Sequence, residues 1–300
     1  MMKFVPAAFA AALILAGCAH VPQAAAPVPV TATPAAEAPA APSADDNLNA
    51  VAWSQNASEH DFIYLQTYRD AREKLLKAKK DPTWDALPKD DRAAHPSLKG
   101  LKPAVVLDID ETALDNSPYQ ARLIRSGGEF NEAEWAAWCK EAIARPLPGA
   151  LEFTRFAADH GIAVIYISNR AKDLDEATLA NLRSAGFPVA GKQSFLGLGT
   201  FVEGCEQVGS EKGCRRQLVA KDYRVLMQFG DQIGDFANVP GNTAQGRAKA
   251  MAPYTAWIGE RWFVLPNPTY GAWESALFDN DYGLQRNERR QKKIDSLRTK

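Results

Sequence analysis

Ala104-Val105-Val106-Leu107-Asp108-Ile109-Asp110-Glu111-Thr112 is the stretch from which the fold can be read. An apolar run stops at two aspartates spaced by one residue, with a threonine two further on. A short apolar run with such a stop reads as a buried strand. Side chains on a strand alternate, so Asp108 and Asp110 leave it on the same side. One carboxylate can attack phosphorus while the other handles protons, so the stretch points to phosphate-ester chemistry.

Outward from this strand, helical and strand patterns alternate. Pro148–His160 reads as a helix with Phe153, Phe156 and Ala157 on one face and Gly161 as its stop. Ile162–Ile167 is a second buried strand, and Leu174–Ala185 a helix closed by Gly186. Ser194–Leu198 is a weaker strand. Arg215–Ala220 sits in a short helix, Tyr223–Phe229 is a strand interrupted by Gln228, and Trp262–Leu265 is a last strand. Upstream, 58–80 reads as an amphipathic helix capped by Ser58. Phe62, Leu65, Tyr68, Leu75 and Leu76 are its apolar stripe, and Asp81-Pro82 ends it. Region 113–147 has no convincing strand and carries Trp135 and Trp138, so it reads as a small helical, cap-like piece together with 51–95. Arg286–Lys300 is mostly charged and reads as a solvated helix. This alternation predicts an α/β fold: a parallel sheet with helices on both faces.

In a parallel sheet all strand carboxyl ends share one edge, where ligands bind. Asp108 and Asp110 follow the first strand, Ser168-Asn169-Arg170 the second, and Gly230-Asp231-Gln232-Ile233-Gly234-Asp235 the strand at 223–229. Lys212 opens the helix before that strand. These groups are therefore expected to converge.

The four elements resemble the motifs of the haloacid dehalogenase superfamily, whose core is a Rossmann-like parallel sheet. Asp108 to Thr112 matches DxDxT, Ser168 the second motif, Lys212 the third, and Gly230-Asp231…Asp235 the GDxxxD form of the fourth. Three longer stretches narrow the resemblance: Asp110 to Tyr119, Ser168-Asn169-Arg170, and Leu265 to Trp273. They are similar to the class C acid phosphatases of the lipoprotein e(P4) family, bacterial surface lipoproteins that often act on 5′-nucleotides. The likeness spans roughly residues 50–290.

That resemblance implies a Mg²⁺-dependent phosphomonoesterase, acting at acidic pH through an aspartyl-phosphate. Asp108 is the expected nucleophile. Asp110 is the expected general acid and then base. Mg²⁺ suits a site of few carboxylates and water. Its implied ligands are Asp108, the Asp110 backbone carbonyl and Asp231, with Asp235 orienting Asp231 or a metal water. Ser168 is expected to hydrogen-bond a phosphoryl oxygen and Lys212 to neutralise charge, with Lys221 as the alternative lysine. Asn169 and Arg170 are expected at the substrate or positioning the loop. Trp135 and Tyr270 match positions that sandwich a nucleoside base, although such aromatics also serve as core. The same intermediate would serve phosphoryl transfer to an alcohol. The non-enzymic alternative is a surface lipoprotein that only binds its ligand.

The chain has 300 residues, a formal charge of −1 and 46% hydrophobic residues, which suits a globular domain with no basic stripe for a nucleic acid polymer. Lys3 and the apolar run Phe4 to Leu15 read as a signal peptide over 1–17. Leu15-Ala16-Gly17-Cys18 resembles a lipobox, implying cleavage before Cys18 and lipidation of it. Ala19 follows instead of aspartate, so the outer membrane is the expected destination. The stretch 18–50 is rich in Ala and Pro and reads as a disordered tether to a domain over 51–300. In an oxidising compartment Cys205 and Cys214 can close a small disulfide ring around a polar loop, with Cys139 a buried thiol. Cys139 to Arg145 formally fits C-x₅-R, but its intervening residues are helix formers rather than the glycines a phosphate cradle needs. The four histidines show no ligand spacing.

Overall fold

The computed structural model describes residues 46–300, which fall in one compact unit. The expected signal peptide, Cys18 and the tether up to residue 45 lie outside the described residues.

In chain order the elements are α1 (Leu48–Asn56), α2 (Ser58–Lys80), α3 (Lys89–Arg92), β1 (Lys102–Leu107), β2 (Leu114–Asp115), α4 (Ser117–Ser126) and α5 (Glu132–Glu141). There follow β3 (Arg145–Pro146), α6 (Ala150–Asp159), β4 (Ala163–Ala171), α7 (Asp175–Ser184), β5 (Phe195–Leu198), α8 (Gly213–Asp222) and β6 (Tyr223–Gly230). The last are α9 (Ile233–Phe236), α10 (Ala244–Met251), β7 (Trp262–Val264), α11 (Ala272–Ser275) and α12 (Arg286–Asp295). Five strands form one parallel sheet in the order β5-β4-β1-β6-β7. The order reverses between β1 and β6, and the crevice outside the strand ends at such a switch is where α/β sheets bind ligands.

Both sheet faces are covered, which is why the strands are nearly all apolar. Val105 and Leu107 of β1 pack with Val164 and Tyr166 of β4 and with residues of α2, α6 and α7. Ala104 and Val106 pack on the other face with Ile165, Ile167 and Val219 of α8. The ladder between β1 and β6 slips between Ala104 and Val105, so Leu226 is an extra residue on β6. The bulge shifts the alternation, and Gln228 falls on the α8 face, where its amide donates to Ala86 O at 2.8 Å. Gln228 thus interrupts the apolar run without ending the strand.

Some sequence expectations need correction. Ser58 does not cap α2: the N-cap is Ala57, and no side chain bonds the first turn. The buried stripe of α2 is Tyr64, Tyr68, Ala71, Leu75 and Ala78, while Phe62 is 62% exposed. Tyr68 and Leu75 are buried as expected, and the stripe turns at Tyr64 because its hydroxyl, like that of Tyr68, has an inward partner. Tyr64 donates to Glu111 O at 2.6 Å and Tyr68 to Thr112 O at 2.8 Å. The helix so braces the loop that follows β1. Region 113–147 holds α4 and α5 as expected, but also the antiparallel pair β2–β3, too short for its period to register in sequence. The described residues include α1, which begins at Leu48.

Candidate active site

Asp108 is the first residue past β1, and its N–H continues the ladder by donating to Phe229 O at 3.0 Å. Its side chain is 8% exposed. Lys212, the N-cap of α8, reaches it and makes three bonds: to Asp108 Oδ1 at 2.5 Å, Ile167 O at 2.7 Å and Asp235 Oδ1 at 2.7 Å. That uses all three donors of the ammonium. Lys221 is exposed in the last turn of α8, about 13 Å along the axis from Lys212, and plays no part in this cluster.

Asp231 leaves β6 beside Asp108. Its Oδ2 accepts from Gln232 Nε2 and Asn267 Nδ2, each at 2.8 Å. Asp235 has one oxygen on Lys212 and the other on the Gln232 N–H at 2.8 Å, within a capping box that starts α9. Residue 230 must be glycine, because an added Cβ would lie 2.2 Å from Asp235 Oδ2.

Oxygens of Asp108, Asp231 and Asp235 lie within 4.8 Å of one another. Three carboxylates and one ammonium leave a formal charge of −2, which a divalent cation neutralises. Hard carboxylate oxygens fit an ion such as Mg²⁺. Without such an ion, burial pushes the Asp108 carboxyl well above its usual range despite Lys212. Burial, and then the neighbouring Asp235, push Asp231 up to about 7. Burial alone would lower Lys212, but Asp108 and Asp235 outweigh it and hold the ammonium above its ordinary value.

Asp110 has a different set of partners. Its Oδ1 accepts from Arg170 Nε at 2.9 Å, Arg170 Nη2 at 2.8 Å and Asn116 Nδ2 at 2.9 Å. Among the described residues its Oδ2 accepts from the Ser168 hydroxyl alone, at 3.0 Å. Strand β4 runs through the Ser168-Asn169-Arg170 triplet, so Ser168 and Arg170 share one side and Asn169 the other. Arg170 is 1% exposed, and its remaining bonds go to Asn116 and Thr178, so it holds Asp110 rather than an open subsite. Asn169 is exposed and accepts from Arg215 at 2.7 Å. Arg215 in turn bonds the Ser168 carbonyl at 2.6 Å.

Two aromatic residues rim this region. Tyr270 is half-buried, and its hydroxyl donates to Glu111 Oε2. The Trp135 ring meets Tyr119 at 5.1 Å and lies 5.5 Å from the Arg170 guanidinium. Cys205 and Cys214 are disulfide-bonded across a Cα separation of 5.6 Å, and Cys139 is a buried free thiol. Burial pushes that thiol to about 12.

A family model described as HAD superfamily, subfamily IIIB (acid phosphatase) matches residues 25–273. The chain belongs to HAD subfamily IIIB, the acid phosphatases. Its fold superposes on the crystal structure of the class C acid phosphatase from Bacillus anthracis with a TM-score of 0.72 and 32% identity, covering 85% of this chain and 97% of that one. The same enzyme with tungstate bound gives 0.72 and 33%. Among curated relatives, vegetative storage protein 1 of Arabidopsis thaliana is 31% identical over 55% of this chain and 54% of its own length. Acid phosphatase 1 of Solanum lycopersicum is 26% identical over 55% of this chain and 57% of its own length. The chain thus spans a little over half the length of these two curated relatives.

In this subfamily IIIB chain, sequence reasoning passed over Glu111, Asn116, Gln232 and Asn267. Asn116 is fully buried and joins Asp110 and Arg170 to Trp138 Nε1, the last at 2.7 Å. Glu111 is buried in left-handed backbone (φ 55°), accepting from the Asn116 N–H and from Tyr270. The one available signal was position: each lies in or beside a motif already singled out.

Proposed function

We propose that this chain is a Mg²⁺-dependent acid phosphatase that cleaves phosphomonoesters through an aspartyl-phosphate. The observation that carries the reading is the buried Asp108, tied to Lys212 and clustered with Asp231 and Asp235 at the switch point of the sheet. With Oδ1 held by Lys212, Asp108 attacks phosphorus through its other oxygen, and the bond to the leaving oxygen breaks. Asp110 gives that oxygen a proton through Oδ2, the atom restrained only by Ser168. Asp110 then takes a proton from water, whose oxygen displaces phosphate from Asp108. Ser168 and Lys212 offset charge on the phosphoryl oxygens. Asp108, Asp231 and the Asp110 carbonyl would hold Mg²⁺, which would supply further neutralisation, while Asp235 serves Lys212 and the start of α9. The tungstate bound by the Bacillus anthracis relative, a tetrahedral oxyanion like phosphate, supports this substrate class.

Nucleoside 5′-phosphates fit the two aromatic rings near the site, Trp135 and Tyr270. Export and lipidation at Cys18 would place the enzyme on the outer membrane, with residues 18 to 45 as its tether. The storage-protein relatives motivate a binding-only reading, and the intact Asp108, Asp110 and Asp231 speak against it.

The test is phosphate release from nucleotides, sugar phosphates and aryl phosphates, with and without chelator, by wild type and Asp108→Asn. Turnover that needs Mg²⁺ and is lost in the variant is expected. No turnover in excess Mg²⁺ overturns the reading. Added alcohol separates hydrolysis from transfer, which would appear as a new phosphate ester. Labelling of Cys18 by a lipid precursor tests the anchor.

A further inference from the structure

We infer that the Cys205–Cys214 disulfide is a positioning device for Lys212, so that the catalytic rate depends on its oxidation; the inference rests on the phosphatase reading above. Lys212 is the last residue of an irregular connection between β5 and α8. That connection begins at residue 199 and contains no helix or strand. Its outer part has little to hold it. Phe201 is 85% exposed and Val208 65% exposed, and Gly204 and Gly209 sit in left-handed turns. Its backbone bonds are local: Cys205 N–H to Val202 O, and Glu211 N–H to Val208 O.

Yet the end of this connection must fix an ammonium to within hydrogen-bond tolerance of Asp108, Asp235 and Ile167 O. The lysine stem has four rotatable bonds and cannot supply that fixity. The disulfide can. Lys212 lies inside the ring closed by Cys205 and Cys214, and Cys214 is buried in the first turn of α8. Next to it, Arg215 gathers the Ser210 and Glu211 carbonyls and the Ser168 carbonyl. Cutting the ring leaves Arg215, Arg216 and the buried Val202 to hold this end of the connection, and the N-cap of α8 gains freedom to fray. A displacement of about 1 Å at a catalytic group costs roughly 10²-fold in rate.

The redox step balances with a dithiol reductant. Its two thiols give two electrons and two protons to the S–S bond, leaving two cysteine thiols and the reductant's cyclic disulfide.

The experiment uses the full chain, oxidised and loaded with Mg²⁺. Phosphate release from an aryl phosphate is followed before and after dithiothreitol, at a temperature well below the unfolding midpoint of each form. Reduction should lower kcat at least tenfold with little change in KM, and reoxidation should restore it. Cys205→Ser/Cys214→Ser should have the low kcat throughout, unmoved by dithiol. Lys212→Met should show no further loss on reduction, because the disulfide acts through that lysine. A lowered unfolding midpoint with unchanged kcat overturns the inference and leaves the disulfide a stabiliser only. A tenfold loss on reduction of Lys212→Met overturns it too. Absent turnover in the oxidised wild type defeats the phosphatase reading itself, and this inference with it.

Discussion

Replacing Lys212 with methionine removes one charge from the centre of the site and keeps most of the side chain's volume. The lysine and its two carboxylate partners are each 8% exposed or less, so solvent does little to screen the pairs. Breaking a buried ion pair from one side costs about 3–5 kcal/mol, because the partner charge is left without compensation. Here the size of the loss depends on pH. Burial already raises Asp108, and Lys212 is the main influence pulling it down. Without the lysine, the folded-state carboxyl rises further. A carboxyl raised in the folded state contributes stability that is fully present below its unfolded value, near 4, and lost as pH rises through the folded value. The variant therefore approaches wild type near pH 4 and falls furthest behind at pH 8. Urea unfolding in chelator at pH 5 and pH 8 measures this directly. Phosphate release should fall about 10²- to 10³-fold in kcat, as for loss of one preorganised charge stabiliser. Lys221→Met, at an exposed position, should stay within about 0.5 kcal/mol of wild type and keep full activity. Wild-type kcat in Lys212→Met, or a stability loss that does not grow between pH 5 and 8, refutes the reasoning.

Gly230→Ala puts a methyl 2.2 Å from Asp235 Oδ2, which must give up Lys212 and the Gln232 N–H; unfolding should show a loss of about 3 kcal/mol, and calorimetry at least tenfold weaker Mg²⁺ binding. Gly234→Ala meets nothing within 4 Å and is its control. Binding of Mg²⁺ should release protons, more at pH 6 than at pH 8, because Asp231 near 7 must ionise to ligate; titration in two buffers of different ionisation enthalpy counts them, and equal release at both pH values contradicts the assignment. Trp135→Ala with Tyr270→Ala should cut the preference for nucleoside over alkyl phosphates by about 10- to 100-fold in relative kcat/KM, since base stacking is worth about 1–3 kcal/mol, whereas an unchanged ratio rejects stacking.

The sheet was legible because its strands are short apolar runs with clear stops, and because both faces are covered. Asp108, Ser168 and Asp231 were legible for the same reason, as the polar residues that end or follow those runs, whereas Lys212 opens a helix and was reached only through the family resemblance, with Lys221 as its alternative. The structure corrects readings where a polar atom has a buried partner far away in the chain. Tyr64 turns the α2 stripe because its hydroxyl reaches a carbonyl 47 residues on. Gln228 looked like a flaw because the bulge at Leu226 has no signature in composition. The tie between Glu111 and Tyr270 was invisible because the two are 159 positions apart.

Asp108 and Asp110 show where a motif stops being informative. By spacing they are equivalent: both are aspartates leaving one strand on one side. Their difference is made by two different cations. Lys212, 104 residues on and carried by α8, holds Asp108 beside Asp235. Arg170, 60 residues on and carried by β4, holds Asp110 with Asn116 and Ser168. The lysine offers a point charge to a cluster with room for a divalent ion, whereas the arginine's planar fork fixes the orientation of one carboxylate. In the proposed mechanism the first environment serves the nucleophile and the second the proton carrier. Exchanging the two cations, in Lys212→Arg with Arg170→Lys, should therefore abolish turnover while conserving net charge. Near-normal kcat in that double variant would mean that charge alone, and not donor geometry, separates the two aspartates.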